Sequence, residues 1–299
     1  MICKNRLTLL CGIAIACASV ASCEIINPEE DIPSYIQIDQ FQVVSNSLEE
    51  GSLSNNITDA WVYIDDELIG TFELPALVPI LAEGDRNLMV SAGIKRNGIG
   101  ATRVEYPFYQ SFKNDTNFVL YRDSVLVVKP VIRYFPSTEI QFASLEDFED
   151  PVSLNIDSLV NSTARIRATS INDLVFEGNS SGLIELHDTN SFFHGATNRS
   201  YVLPRGGANV YLEMDYNTTV NLEIGSLVNT FDRGVVERPI ITLTPTGDLT
   251  TNVWNKVYID LTSTISSETA ATDHKIYWKA SSNGGDGRVL LDNLKLVYQ

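Results

Sequence analysis

Two carboxylates with a spacing suited to hydrolytic chemistry lie in the segment Glu213-Met214-Asp215. Side chains two residues apart in a strand point to the same face, so alternation places Glu213 and Asp215 together. Two carboxyl groups about 5–5.5 Å apart can hydrolyse a glycosidic bond with retention of configuration. A glycosidase is therefore one hypothesis, and a pair of solvated carboxylates on an outer sheet face is the other.

The sequence does not favour metal catalysis or serine catalysis either. The three histidines, His187, His194 and His274, lack the His-Glu-x-x-His spacing, so ordinary loop histidines are favoured over a metal site at His187 and His194. The predicted strands offer no βαβ frame in which a nucleophile elbow could place a catalytic serine, and the glycine-rich segment 284–287 precedes a strand rather than a phosphate-binding helix. We therefore predict no enzyme.

Sugar binding needs exposed aromatic rings beside amide and carboxylate groups. The segment from Asn190 to Tyr201 supplies both, and its candidate carbohydrate-binding residues are Phe192, Phe193 and Tyr201. Adjacent strand residues point to opposite faces, so Phe192 and Phe193 cannot both lie in the core. Core packing is the alternative for each ring, and we expect it for Trp254 and Trp278.

Composition and charge limit the class of protein and its partners. The chain has 299 residues, of which 44% are hydrophobic and 20% are charged, a globular composition long enough for two domains. With 21 Lys and Arg against 38 Asp and Glu, the net charge is −17. Such a charge repels phosphate backbones, so we expect no nucleic-acid partner.

Residues 1–22 are typical of a secretory signal: a short basic start, an apolar run too short to span a bilayer, and small residues at its end. The sequence Val20-Ala21-Ser22-Cys23 resembles the lipobox of bacterial lipoproteins, which implies acylation of the Cys23 thiol. The other three cysteines lie in the leader, and acylation would use the one thiol left over. An ordinary cleaved signal is the alternative.

The stretch 23–34 is acidic and contains two prolines, and we interpret it as an extended tether. Acidic residues after the acylated cysteine are similar to the surface-export signal of Bacteroidetes lipoproteins. The resemblance implies a lipid anchor in the outer membrane and display at the cell surface.

From Tyr35 onward, apolar residues alternate with polar ones or form short runs between turn residues. Val, Ile, Thr and Tyr favour strands, and strands spaced 8–12 residues apart are typical of sandwiches. The sequence therefore predicts an all-β protein. We expect a small β-sandwich domain over residues 35–135 and a larger β-sandwich over residues 139–299.

Both predicted domains resemble known modules. The segment 61–75 is similar to PEGA-like and prealbumin-like sandwiches, which implies a spacer or contact module. The segments 254–262 and 287–298 resemble jelly-roll carbohydrate-binding modules, which implies a C-terminal jelly roll. Jelly-roll glycosidases carry Glu-x-Asp-x-x-Glu, but Asn217, Thr218 and Thr219 stand where the third acid belongs, so the resemblance does not favour catalysis.

The same resemblance implies a structural calcium ion, since related jelly rolls often hold one with carboxylate and carbonyl oxygens. Its candidate ligands here are Glu177, Asp286 and Asp292, or the pair Glu149 and Asp150. The alternative for Asp286 is a simple hairpin turn, and for Asp292 a solvent-facing or strand-capping role. We expect no other cofactor.

Ser124 and Ser158 follow an aspartate and precede an apolar residue. These triplets resemble the O-glycosylation sequon of exported Bacteroidetes proteins.

Together these features favour a non-catalytic, glycan-binding lipoprotein of the outer membrane. The alternative is a structural or adhesion lipoprotein that contacts an envelope protein, for which an exposed apolar patch or a free strand edge would be the sign. A glycosidase is the third hypothesis.

Replacing the predicted acylation site tests the anchor. Cys23→Ser removes the thiol, so we expect the chain to move from the membrane fraction to the soluble fraction of lysed cells. Retention of the variant in the membrane fraction would contradict the prediction.

Overall fold

The computed structural model describes residues 31–45, 47–114, 118–136 and 138–299. Cys23 and the leader lie outside these residues. Strands make up most of the regular structure, which confirms the prediction of an all-β chain. Over the described part of the chain there is one α-helix, α1 (Thr262–Ser267), and no helix is long and apolar enough to cross a membrane.

The N-terminal lobe contains twelve short strands among the described residues. In chain order they are β1 (Ser34–Ile38), β2 (Gln42–Val43), β3 (Asp59–Ile64), β4 (Glu67–Glu73), β5 (Ala76–Ile80), β6 (Gly84–Arg86), β7 (Leu88–Lys95), β8 (Arg103–Glu105), β9 (Phe112–Lys113), β10 (Phe118–Leu120), β11 (Val125–Val128) and β12 (Val131–Ile132). One sheet has the order β11-β1-β5 and a larger one the order β4-β3-β7-β8, with β9 also paired to β7. Two further pairs, β10-β6 and β12-β2, complete the lobe.

Turn chemistry sets one hairpin of this lobe. Asp65 and Asp66, between β3 and β4, have φ values of 50° and 67°. A tight hairpin turn needs positive φ at both central residues, a conformation that aspartate tolerates. Residues 84–87, Gly-Asp-Arg-Asn, are of types that favour a turn, but residues 84–86 form the strand β6, which pairs with β10.

The C-terminal lobe is a sandwich of two antiparallel sheets. Its strands are β13 (Gln141–Glu146), β14 (Ile156–Ser158), β15 (Ile166–Thr169), β16 (Ser181–Leu186), β17 (Phe192–Thr197), β18 (Val210–Thr218), β19 (Leu222–Thr230), β20 (Gly234–Leu243), β21 (Asn255–Asp260), β22 (Ala271–Ser281) and β23 (Gly287–Tyr298). The six-stranded sheet has the order β15-β16-β23-β18-β21, with β13 also on β23, and the five-stranded sheet the order β14-β17-β22-β19-β20. The chain crosses repeatedly between the two sheets, and the jelly-roll prediction is confirmed.

The sandwich core lies between these sheets. On β18, alternate residues from Val210 to Tyr216 belong to this core, and Trp278 of β22 is fully buried in it. The Trp278 indole N–H lies 3.5 Å from the Met214 sulfur, which gives its one polar atom a partner. The expectation that Trp278 packs in the core is therefore correct.

The N-terminal lobe packs directly on the other face of the six-stranded sheet. Tyr211, Tyr258 and Val297 point away from the sandwich core and belong to the core of the N-terminal lobe. The Tyr106 ring lies 5.6 Å from Tyr211 and 4.7 Å from Tyr258, distances typical of aromatic pairs. The smaller lobe is therefore joined to the sandwich by a shared hydrophobic core.

This packing changes the environment of Glu213 and Asp215. Alternation does place them on one face, but both are fully buried rather than solvated, because the N-terminal lobe covers that face. Tyr106 and Tyr134 donate hydrogen bonds to Glu213 Oε1 at 2.6 and 2.8 Å. The expectation of solvated carboxylates on an outer face is wrong.

Two buried lysines balance this charge. Glu213 Oε2 lies 3.5 Å from Lys256 Nζ and 3.7 Å from Lys295 Nζ, and Asp215 Oδ2 lies 3.6 Å from Lys256 Nζ. Burial alone would raise the pKa of Glu213, but Lys295, Lys256 and the two tyrosine hydroxyls outweigh burial and lower it. Glu213 is therefore an ionised, paired group that is fully buried.

Removing one lysine of this network should destabilise the fold. Lys295→Met keeps the length of the side chain but leaves Glu213 with less compensation, so we expect a loss of roughly 3–5 kcal/mol in the free energy of unfolding. Urea denaturation measures it. Lys129→Met, at an exposed lysine of the N-terminal lobe, is the control and should change stability by less than about 0.5 kcal/mol. Equal losses in the two variants would contradict the importance of the network.

Candidate functional site

The outer face of the five-stranded sheet carries polar side chains in cross-strand rows. His194, Lys279, Glu223 and Thr242 are register partners on β17, β22, β19 and β20. Their immediate neighbours in each strand point into the sandwich core, so alternation turns this row outward. The sheet therefore presents a polar strip on the face opposite to the N-terminal lobe.

A shallow groove of about 190 Å³ lies at one end of this strip. Phe192, half-buried at the start of β17, lines it together with a set of hydrogen-bonding side chains: Asn221, Glu223, Thr242, Lys279, Ser281 and Asn283. We call this feature the Phe192 groove. It combines one aromatic ring with hydroxyl, amide, carboxylate and ammonium groups.

Charge in the groove is centred on Lys279. Its ammonium lies 3.2 Å from Glu223 Oε1 and also contacts Glu237. Partial burial would lower the pKa of Lys279, but hydrogen bonds to Glu237 and Glu223 outweigh burial and raise it. The groove thus holds a fixed cation between two carboxylates and presents both donors and acceptors.

Tyr277 forms a rigid support beneath these charges. Its hydroxyl donates to Glu223 Oε1 at 2.9 Å, and its ring lies across Gly225 of the neighbouring strand. A Cβ at position 225 would come within 2.4 Å of the ring, so only glycine allows this close approach. The position of Glu223 is therefore set by packing as well as by charge.

His194 lies on β17 next to Phe192, in a strand rather than in a loop. It is 4% exposed, and its Nδ1 lies 3.2 Å from Asn161 Oδ1. Nε2 has no hydrogen-bond partner among the described residues and lies 3.8 Å from Glu237 Oε2. Burial, then the nearby Lys279, lowers the pKa of His194, which favours the neutral ring.

The three aromatic residues predicted to bind sugar do not form one platform. Phe193 is fully buried in the sandwich core, because alternation turns it inward when Phe192 faces outward. Tyr201 is half-buried and pairs with His274 of β22. Phe192 pairs with Ser281 of the same strand, which lies seven residues or about 23 Å from His274. Of the three, only Phe192 lines the groove.

Of the three proposed calcium ligands, Glu177 and Asp292 line one cavity, and Asp286 lies apart from them. Asp286 lies in the turn before β23, six residues or about 20 Å from Asp292 along the chain. Asp292 is buried and accepts hydrogen bonds from the Ser181 hydroxyl at 2.6 Å and the Asn293 N–H at 2.8 Å. The Glu177 N–H also points at Asp292, at 3.4 Å.

These contacts do not fit a calcium site. Hydroxyl and amide donors already occupy the oxygens of Asp292, and Glu149 likewise accepts hydrogen bonds from Asn179 and Ser180. Within residues 31–45, 47–114, 118–136 and 138–299, no group of three His, Cys, Asp or Glu residues could hold a metal ion. The carboxylates instead tie loops together.

The remaining predicted residues lie apart from the groove. Ser124 is half-buried and donates to the carbonyl of Tyr121 at 2.6 Å, whereas Ser158 is exposed on β14. Trp254, expected in the core, instead pairs with the partly exposed Phe176 at 5.2 Å on the surface. Neither the spacing nor the composition of the sequence signalled this pair.

An exposed apolar surface lies on the N-terminal lobe. Leu77, Val125 and Val127 are each more than half exposed on the outer face of the sheet formed by β11, β1 and β5. Such a surface is the sign that we associate with a protein partner.

Comparison with solved structures finds distant likenesses. They include the enzymatically active domain of tailspike protein 4 from bacteriophage CBA120, with 10% identity, a TM-score of 0.40, and coverage of 52% of this chain but 21% of the tailspike chain. A xylan-binding domain of family CBM22 from Paenibacillus barcinonensis has 11% identity, a TM-score of 0.38, and coverage of 53% and 92%. A family 11 carbohydrate-binding module from Clostridium thermocellum, in complex with a mixed-linked tetrasaccharide, has 14% identity, a TM-score of 0.36, and coverage of 52% and 94%.

The match thus spans about a fifth of the tailspike chain. No protein-family model matches the sequence. No curated protein matches it either.

The buried Asp292 predicts a pH dependence of stability. Burial raises the pKa of Asp292 to about 7 in the folded chain, against about 3.9 when unfolded. Its contribution to stability is therefore fully present below pH 4 and is lost as the pH rises through 7. We expect the free energy of unfolding of the wild type to fall between pH 5 and pH 8 relative to that of Asp292→Asn.

Urea denaturation at several pH values measures this difference. Asp248→Asn, at an exposed aspartate whose pKa is lowered by hydrogen bonds from Thr250, should not change the slope in this range. Parallel curves for the wild type and Asp292→Asn would show that Asp292 does not titrate there.

Proposed function

We propose that this chain is a non-catalytic glycan-binding lipoprotein of the outer membrane, with its sugar site in the Phe192 groove. The observation that carries the proposal is the placement of a half-buried aromatic ring beside six hydrogen-bonding side chains. Sugar hydroxyls both donate and accept hydrogen bonds, while the C–H faces of a sugar ring are apolar. The groove offers a partner for each of these features.

The volume of the groove favours one unit of a chain. Enclosed small-molecule sites typically measure about 300–1,000 Å³, and the Phe192 groove is smaller and open. It would hold one sugar residue while the rest of a polysaccharide extends over the sheet. Lys279 and Glu223 would then bind hydroxyls of that residue without reorganising, because their mutual ion pair holds them in place.

The proposal of a non-catalytic role is supported by the packing of the two lobes. Glu213 and Asp215 form the carboxylate pair that suggested hydrolysis, and both lie beneath the N-terminal lobe, paired with lysines. A general acid must reach the leaving oxygen of its substrate. These two carboxylates have no such access.

The lipid anchor is supported by Cys23 and the tether after it. The first strand begins at Ser34, eleven residues after Cys23, so an extended tether would reach at most about 40 Å. The tether enters the N-terminal lobe, while the groove lies on the opposite face of the sandwich. An anchored chain would thus hold its sugar site away from the membrane.

The sugar site is tested on a glycan array with the purified chain. Phe192→Ala removes the stacking ring, and we expect it to weaken the binding of any recognised glycan by at least about tenfold. Phe231→Ala is the matched control, because Phe231 is 97% exposed at a hairpin of the same sheet. Equal binding by wild type and Phe192→Ala would place the sugar site elsewhere.

A second candidate function is contact with an envelope protein. The exposed apolar surface of Leu77, Val125 and Val127 is the observation that favours it. Silence of the wild type across the array would favour this second function over glycan binding.

A further inference from the structure

A second cavity, of about 290 Å³, lies beside the Phe192 groove at the edge of the six-stranded sheet. Arg165 and Arg167 of the β15 region, Glu185 of β16, and His187 and Thr163 of the adjoining loops line it. We call it the arginine pocket. Both arginines are exposed, so their guanidinium groups are open to a ligand.

Positive charge is in excess here. Glu185 is the one carboxylate in the lining, and it accepts a hydrogen bond from Arg167 at 2.5 Å. Arg288 is its register partner on β23, so Glu185 already has two arginines beside it. Arg165 makes no hydrogen bond or ion pair with any other described residue, and its charge is available. This concentration is notable in a chain with a net charge of −17.

The pocket and the groove adjoin each other at Phe192. The Thr163 N–H donates to the Phe192 carbonyl at 2.9 Å, and the Phe192 N–H donates to Thr163 Oγ1 at 3.0 Å. Thr163 lines the pocket, while Phe192 lines the groove. A ligand that spans the groove and the pocket therefore meets an aromatic ring and hydrogen-bonding groups in the groove and a free guanidinium group in the pocket.

We propose that the arginine pocket binds an acidic substituent of the glycan, so that the ligand class is an acidic polysaccharide carrying carboxylate or sulfate groups. The inference rests on the proposed function, because it assigns the second half of the same binding surface. Guanidinium groups bind planar and tetrahedral oxyanions through paired N–H donors. A sugar unit in the groove would place the acidic group of its neighbour over Arg165.

The acidic character of the whole chain does not prevent this recognition. At about 0.15 M ionic strength, charges separated by more than about 8 Å are largely screened. An acidic group inside the pocket then interacts with Arg165 and Arg167 and only weakly with the distant carboxylates. Local charge therefore decides binding once the polymer has reached the surface.

Matched polymers test the proposal at about 0.15 M salt. Polygalacturonate is compared with its methyl ester, which removes the carboxylate charge, and dextran sulfate is compared with dextran. We expect the wild type to bind one acidic polymer more tightly than its neutral counterpart. Arg165→Gln should weaken binding of that acidic polymer by about tenfold and so reduce its preference over the neutral polymer.

Arg199→Gln is the control, because Arg199 is exposed in the same lobe but outside the lining of the pocket. Preference for polygalacturonate identifies a carboxylate ligand, and preference for dextran sulfate identifies a sulfate ligand. Equal affinity for the acidic and neutral forms, or an Arg165→Gln variant that keeps the preference, would overturn the pocket but not the groove. Acidic binding that survives Phe192→Ala would overturn the groove and keep the pocket, and binding of none of the four polymers would overturn both.

Discussion

Buried charge on the six-stranded sheet constrains the whole molecule. Glu213, Asp215, Lys256 and Lys295 project from β18, β21 and β23 on the side away from the sandwich core, and all are almost fully buried. Isolated charges cannot be buried at an acceptable cost in free energy, so each needs partners. Tyr106 and Tyr134 supply hydrogen bonds from the N-terminal lobe, and the lysines supply the opposite charge. The N-terminal lobe therefore completes the sandwich and cannot be treated as a separate spacer.

Covering one face of the sandwich leaves the other face open to solvent. The N-terminal lobe occupies the outer side of the six-stranded sheet, so the polar strip around Lys279 and Glu223 lies on the opposite side, on the five-stranded sheet. Tyr277 and Gly225 give that strip a rigid floor. The strands that carry this strip pack with their inner face on the sandwich core, so the strip is held in place before a ligand arrives. Such preorganisation lowers the entropic cost of association.

The edge of the sandwich brings two kinds of surface together. The loop that contains Thr163 pairs with the start of β17, so hydrogen bonds between Thr163 and Phe192 connect the arginine pocket to the Phe192 groove. Neither surface shares the negative net charge of the chain. The groove holds carboxylates paired with an ammonium group, and the pocket holds an unpaired guanidinium group. Local arrangement, rather than the net charge of −17, thus decides which ligands the two surfaces suit.

The sequence by itself determined the strand-rich class, the sandwich architecture and the sharing of a face by Glu213 and Asp215, because the two-residue period of a strand is a local property. It also determined that Phe192 and Phe193 would face opposite ways. Only the tertiary structure decided that Phe192 is the outward ring and that the carboxylates are buried, because their covering residues, Tyr106 and Tyr134, are more than seventy positions away in the chain. Asp286 and Asp292 show that nearness in sequence does not ensure nearness in space. Only six residues separate them, but those residues belong to an extended strand, which holds the two carboxylates far apart.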